Sequence, residues 1–156
     1  KFFNVYGPNE YHKGRMASVI YHTYKQIKET GKMRLFRSHR DDFADGEQKR
    51  DFIFVQDLAQ VIRFLMERQP ESGLYNLGTG QARTFNDLVK NVFSSLLIEP
   101  KIEYIDTPAD IRDAYQYFTE ADMRKFRATA YPSPFSSLEE GVQKYVQQFL
   151  SLEKYY

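Results

Sequence analysis

The run Asp51-Phe52-Ile53-Phe54-Val55, followed by Asp57 and the segment 58–68, decides how the chain is read. Its aromatic and β-branched residues favour a strand, and the apolar run is too short for a helix. Asp57 is placed to cap the helix that follows, in which Leu58, Val61, Ile62 and Leu65 recur at helical spacing and are expected to face inward. A strand feeding directly into an amphipathic helix is the building unit of α/β architecture.

Outward from this unit the same alternation continues. Phe2 to Tyr6 reads as a short strand stopped by Gly7-Pro8, a loop covers 9–14, and a helix is expected from about Met16. Met16, Ile20, Tyr24 and Ile27 share one face of it, and Gly31 can end it in a left-handed conformation. Residues 32–50 are the most polar stretch, mixing Lys32, Arg34, Arg37, Arg40, Lys49 and Arg50 with Asp41, Asp42, Asp45 and Glu47. Downstream, Leu74-Tyr75-Asn76-Leu77 reads as a strand closed by Gly78-Thr79-Gly80. Thr84 with Asp87 predicts a capping box for a helix whose inner face is Phe85, Leu88, Val89, Val92, Phe93 and Leu96. Lys101 to Ile105 alternates as a strand, and Tyr115 to Phe118 is ambiguous. Thr119 with Asp122 and Ser136 with Glu139 predict two more capping boxes. The second opens a last helix with Leu138, Val142, Tyr145, Val146 and Phe149 inward.

Composition narrows the function classes. The 156 residues are 42% hydrophobic and 28% charged, which suits one globular domain or part of a larger one. Twenty-two Lys and Arg against 21 Asp and Glu leave a net charge of +1, which removes the usual electrostatic case for a nucleic-acid partner. There is no cysteine, hence no disulfide, thiolate zinc site or cysteine nucleophile. No apolar run approaches the ~18 residues of a membrane span. The opening Lys1-Phe2-Phe3 has neither an initiator Met nor a signal-peptide layout, so the chain is expected to be the C-terminal piece of a longer protein.

Several chemical signals resolve into ordinary structure. Gly78-x-Gly80 lacks the third glycine of a dinucleotide loop, position 83 being Arg, and reads as a tight strand-to-helix turn. Tyr21/Lys25 and Tyr24/Lys28 fit a Tyr-x-x-x-Lys spacing, but with 12 Tyr in the chain roughly one such pair arises by chance. None of His12, His22 and His39 stands four residues from another, so no metal site is expected. The basic stretch 32–50 is either a solvated loop or an anion cradle, since guanidinium forks match phosphate oxygens.

Motifs carry the reading further. Phe3-Asn4-Val5-Tyr6-Gly7-Pro8, Arg50-Asp51-Phe52-Ile53-Phe54-Val55-x-Asp57 and Tyr75-Asn76-Leu77-Gly78-Thr79-Gly80 resemble the C-terminal half of an extended short-chain dehydrogenase/reductase. The expected fold is therefore α/β, the substrate-binding portion of such an enzyme with the last strands of its Rossmann-type sheet, over residues 1–156. Narrower features are His12-Lys13-Gly14-Arg15-Met16-Ala17-Ser18, Tyr115-Gln116-x-Phe118-Thr119-x-Ala121-Asp122, and Pro134-Phe135 followed by Glu140-Gly141-Val142. Together they resemble the ADP-L-glycero-D-manno-heptose 6-epimerase family.

That resemblance implies a cytoplasmic, NADP-dependent isomerase of lipopolysaccharide-core precursor synthesis, assembled as a homo-oligomer, by resemblance a pentamer. It implies inversion at C6 of ADP-heptose by transient oxidation, with one acid/base group for each orientation of the sugar. The second of these in the family is a Lys in a His-Lys-Gly loop, here Lys13, which also borders the cofactor together with Val5. Asn4, His22, Phe36, Arg50 and Tyr115 match substrate-contact positions, as do Arg15, Arg37, Ser38 and His39. The family's glycine-rich loop and its catalytic Tyr-x-x-x-Lys lie before the point where this sequence starts. Alternatives are another nucleotide-sugar epimerase or dehydratase of the superfamily, or a non-catalytic binding or assembly module.

Overall fold

In the computed structural model, which describes residues 1–112 and 115–154 and only the backbone of 110 and 111, the apolar run 52–55 is divided between two elements. Along the chain come β1 (Val5–Tyr6), a 3-10 segment (Tyr11–Met16), α1 (Val19–Thr30), β2 (Met33–Phe36), β3 (Lys49–Arg50), β4 (Ile53–Phe54) and α2 (Val55–Arg68). Then follow β5 (Arg83–Thr84), α3 (Phe85–Ser95), β6 (Ile102–Ile105), α4 (Ala109–Arg112), β7 (Phe118–Thr119), α5 (Arg124–Arg127), α6 (Leu138–Tyr145) and a π-helical end (Val146–Leu150).

Three small sheets result. β1 runs parallel to β4 with Val5 opposite Ile53 and Tyr6 opposite Phe54. Tyr6, Ile53 and Phe54 are all buried, as an interior parallel pair requires. β2 runs parallel to β6 from Met33 opposite Ile102 to Phe36 opposite Ile105. β3 lies between β5, antiparallel, and β7, parallel. The α/β class expected from the sequence is thus found. β2 was hidden inside the polar stretch, although its Met33 and Leu35 turn inward while Arg34 turns out.

The helices show which local signals decide a boundary. α1 begins at Val19, not near Met16, because Ser18 caps it by accepting from the Tyr21 amide at 3.2 Å. Met16 is accordingly 84% exposed. Gly31 ends the helix as expected, at φ 72°. Asp57 does not cap α2; its carboxylate accepts from the backbone and hydroxyl of Ser136 at 2.9 and 3.2 Å. On α2 Leu58 and Val61 are buried, whereas Ile62 is exposed. Thr84 caps α3 as expected, but Asp87 pairs with Arg83 instead of completing the box. The last capping box falls one residue later than expected, on Ser137 and Glu140. Thr119 ends β7 rather than capping a helix, and the Asp122 carboxylate accepts from Arg124 instead. Residues 74–77 form no strand; Leu77 makes a single bridge to Phe2.

The main core joins α1, α3 and α6 to the strands. Leu88, Val89, Val92 and Phe93 of α3 meet Val142, Tyr145 and Val146, all without exposure. Full burial of each aliphatic or Phe side chain among them contributes about 1.5–3 kcal/mol over leaving it in water. A second cluster, with Ile53, Leu58, Val61, Leu77, Met123 and Phe126, lies under α2 and α5. Among the described residues, no helix is long and apolar enough to cross a membrane.

Candidate functional site

Two adjoining cavities share Val19 and Phe85 in their walls. The first, of about 210 Å³, is bordered by Asn4, Val5 and Tyr6 on one side and by Arg50 and Phe52 on the other. Asn4 sits at φ 20°, where Asn is tolerated better than most residues, and its Nδ2 donates to the Asp51 carbonyl at 3.1 Å. That bond fixes the residue between the Phe2 bridge and β1.

The second cavity, of about 410 Å³, is lined by Arg15, His22, Phe36 and Tyr115, with Met33, Arg34, Leu35 and Gln48. Its volume lies within the roughly 300–1,000 Å³ of ordinary small-molecule sites. Phe36 and Tyr115 meet edge to face at 6.1 Å. Arg34 and Arg15 supply positive charge, and among the described residues no acidic side chain lines either cavity.

Arg50 connects the two. Its guanidinium lies 5.6 Å from the Phe85 ring centre and 5.8 Å from that of Tyr115. It donates to the carbonyls of Lys49, at 2.8 Å, and Gln116. Burial lowers the Arg50 pKa from its ordinary value, opposed by Tyr115. Burial also raises the Tyr115 hydroxyl, opposed by Arg50. An arginine stays charged under such a shift, so a half-buried cation faces space large enough for an anion.

The remaining expected site residues lie outside these walls. Lys13 is exposed on the 3-10 segment and lines neither cavity, although Arg15 and Met16 of the same segment do. Gly14, at φ 51°, provides the backbone turn between them. Arg37 is exposed and donates to the Tyr104 carbonyl at 3.2 Å. The Ser38 amide donates to Asp45 at 2.8 Å, and the His39 amide to the Tyr117 hydroxyl at 2.9 Å. In the basic stretch, Lys32 and Arg40 are engaged with Glu103 and Asp42, so only Arg34 and Arg50 present charge to the cavities.

Two buried carboxylates hold this arrangement together, and the sequence reading assigned a role to neither. Glu10 is 3% exposed and accepts from the amide and hydroxyl of Ser18, both at 2.6 Å, and from the Tyr145 hydroxyl at 2.9 Å. Asp51, fully buried, accepts from the amide and hydroxyl of Thr79 and from the amides of Gly80 and Ala121, at 2.6–3.0 Å. A Cβ on Gly78 would collide with that carboxylate, which accounts for the glycine. An acid inside an apolar strand demands partners, and that demand was the available signal for Asp51. No cluster of metal-ligating side chains occurs among the described residues.

The chain belongs to the NAD dependent epimerase/dehydratase family, whose model matches residues 1–78. Within it, the chain is 55% identical over 151 residues to an ADP-L-glycero-D-manno-heptose-6-epimerase of Nitratidesulfovibrio vulgaris, covering 97% of this chain and 47% of that protein. It is 47% identical over 162 residues to the same-named protein of Fusobacterium nucleatum, covering 100% of this chain and 49% of that one. It thus spans about half the length of the curated relatives it matches. The crystal structure of the Helicobacter pylori ADP-L-glycero-D-manno-heptose-6-epimerase superposes with a TM-score of 0.77 at 29% identity, over 95% of this chain and 42% of that one. A Thermus thermophilus UDP-glucose 4-epimerase in complex with NAD shares the fold, at a TM-score of 0.75 and 21% identity over 96% of this chain and 45% of that one. The relationship to the extended short-chain dehydrogenase/reductase fold, expected from the motifs, is borne out.

Proposed function

We propose that this chain supplies the substrate site and one acid/base group of an ADP-L-glycero-D-manno-heptose 6-epimerase, working within a longer enzyme. The observation that carries the reading is Arg50, a half-buried cation set between two adjoining cavities that no acidic side chain among the described residues lines. That is the surface a sugar joined to a nucleoside diphosphate needs: charge at the middle and an apolar slot on one side. The names of relatives at 47–55% identity point to the heptose among such sugars.

Asn4 and Arg50 would hold the sugar and diphosphate, and Arg15, His22, Phe36 and Tyr115 the nucleoside side. Arg37, Ser38 and His39 would close over the nucleotide from the loop that follows β2. Lys13 would exchange a proton with the C6 hydroxyl, which requires its enclosure by bound ligands, the ordinary route by which a lysine becomes a base.

A nicotinamide dinucleotide, when bound, supplies the hydride acceptor and donor for such an inversion. This chain fits it at one edge, where Val5 and Lys13 would border it. The turn 78–80 does not suit its pyrophosphate, because Asp51 already occupies the amides of Thr79 and Gly80. Preference for NADP, assembly as a homopentamer and a cytoplasmic location belong to the same proposal and are supported by the family resemblance.

The test is to incubate the complete protein with ADP-D-glycero-D-manno-heptose and follow the sugar by proton NMR. Appearance of the L-glycero epimer is expected. An unchanged heptose, with turnover of another nucleotide sugar, would transfer the chain to a different member of the superfamily.

A further inference from the structure

The second cavity contains a polar group that the proposed function does not use. Gln48 lines its wall and is 1% exposed, yet its Nε2 has no hydrogen-bond partner among the described residues. The backbone of Gln48 is held, since its carbonyl accepts from the Phe85 amide at 3.1 Å and β3 begins at the next residue. The Gln48 side chain therefore starts from a fixed backbone position in the cavity wall, two residues before Arg50. A buried donor left unmade destabilises a protein, so a partner that arrives with a ligand is favoured by the energy already given up.

The walls around it suit a flat group. Met33, Leu35, Phe36, Phe85 and Tyr115 offer apolar and aromatic surface, and among the described residues no acidic side chain lines the cavity. A nucleobase has apolar faces and a polar edge, and a glutamine amide is one of the side chains able to read that edge. Arg50 stands beyond Phe85 and Tyr115, where a diphosphate attached to the base would reach it.

We infer that Gln48 is a specificity-determining residue whose unpaired amide donates to an acceptor on the edge of a nucleobase held in the second cavity. The inference rests on the nucleotide-sugar reading above and deepens it, since it names the residue that chooses the base. A site that hydrogen-bonds its ligand discriminates strongly against one that cannot reciprocate.

The experiment titrates ADP, GDP, CDP and UDP into the full chain by calorimetry, for the parent, Gln48→Met and Gln48→Leu, and records melting without nucleotide. One base should be preferred, and both variants should bind that diphosphate about tenfold more weakly and lose most of the preference. Their unliganded melting temperature should equal or exceed the parent's, because each replaces an unpaired donor by an apolar group. An unchanged preference in the variants, no preference or no binding in the parent, or a uniform loss across all four accompanied by lower melting would each overturn the inference. If the preferred base is not adenine but depends on Gln48, the ADP-heptose reading falls and the inference stands. If adenine is preferred regardless of Gln48, the inference alone falls.

Discussion

Asp51 and Thr79, 28 positions apart, are joined twice: one carboxylate oxygen accepts the Thr79 amide at 2.7 Å and its hydroxyl at 2.6 Å. The other oxygen accepts from Gly80 and Ala121, so the strand carrying Arg50, the turn after 77 and the segment before α5 meet at one side chain. Asp51→Asn keeps the shape but replaces one acceptor by a donor, leaving either the Thr79 amide or those of Gly80 and Ala121 facing an NH₂ group. Urea unfolding should show a loss of about 2–4 kcal/mol. A loss within 0.5 kcal/mol, on the order of a surface substitution, would mean that water takes over those amides.

Arg50 is expected to act on substrate affinity. Removing a charge-assisted contact in Arg50→Ala should weaken nucleotide-sugar binding by about tenfold or more, with the dinucleotide content of the complete enzyme unchanged. Arg50→Lys should recover little, because the flat guanidinium is what lies over Phe85 and Tyr115. Unaltered affinity in Arg50→Ala would mean that this cation does not touch the ligand.

Lys13 is exposed and lines neither cavity, so its removal should leave the fold intact. In the complete enzyme Lys13→Met should cut epimerisation by on the order of 10²–10⁴-fold while substrate still binds. Turnover within a few-fold of the parent would assign the second acid/base role elsewhere.

Alkaline stability should be limited by tyrosines. Burial is the first cause raising the Tyr6 and Tyr145 hydroxyls above their ordinary value of 10.0, with Asp57 and Glu10 respectively next. The folded state therefore holds these protons where the unfolded chain releases them, and stability is complete below about pH 10. It should fall as pH rises from there toward the folded values. Tyr145→Phe should make the melting temperature decline less steeply above pH 10, at some loss near neutrality because Glu10 loses a donor. An identical alkaline slope in that variant would place the titrating group elsewhere.

The architecture was legible where one signal dominated. Residues 85–96 have an unbroken helical stripe and a threonine cap, and Gly31 ends α1 where its sequence position says it should. Boundaries were lost where two acceptors compete. Ser136 and Ser137 are adjacent and either can cap, but Ser136 is taken by Asp57, so the box falls on Ser137. β2 was lost because an alternation of four residues is weak beside the charges around it. For the site, motif resemblance picked out Asn4, Val5, Arg15, His22, Phe36, Arg50 and Tyr115, which line two neighbouring cavities, together with Lys13, Arg37, Ser38 and His39, which line neither. It could not find Gln48, Phe85, Glu10 or Asp51, whose importance arises from partners 8 to 135 positions away or from the lack of a partner. Spacing in a sequence does not record such relations.

Glu10 closing on Ser18 has a further consequence for how this surface can change over time. The segment between them is fastened at both ends and tied by Tyr145 to the interior, so residues 12–16 form an exposed cassette on a fixed mount. His12, Lys13, Arg15 and Met16 are all exposed, and new side chains at Arg15 and Met16 would reshape the edge of the cavities offered to a ligand without disturbing the buried core beneath. Mutational drift can thus explore new ligands on this cassette while the mount absorbs none of the burden. Breeding altered selectivity by randomising His12, Arg15 and Met16, with Glu10, Lys13, Ser18 and Tyr145 untouched, uses a separation already present in the molecule.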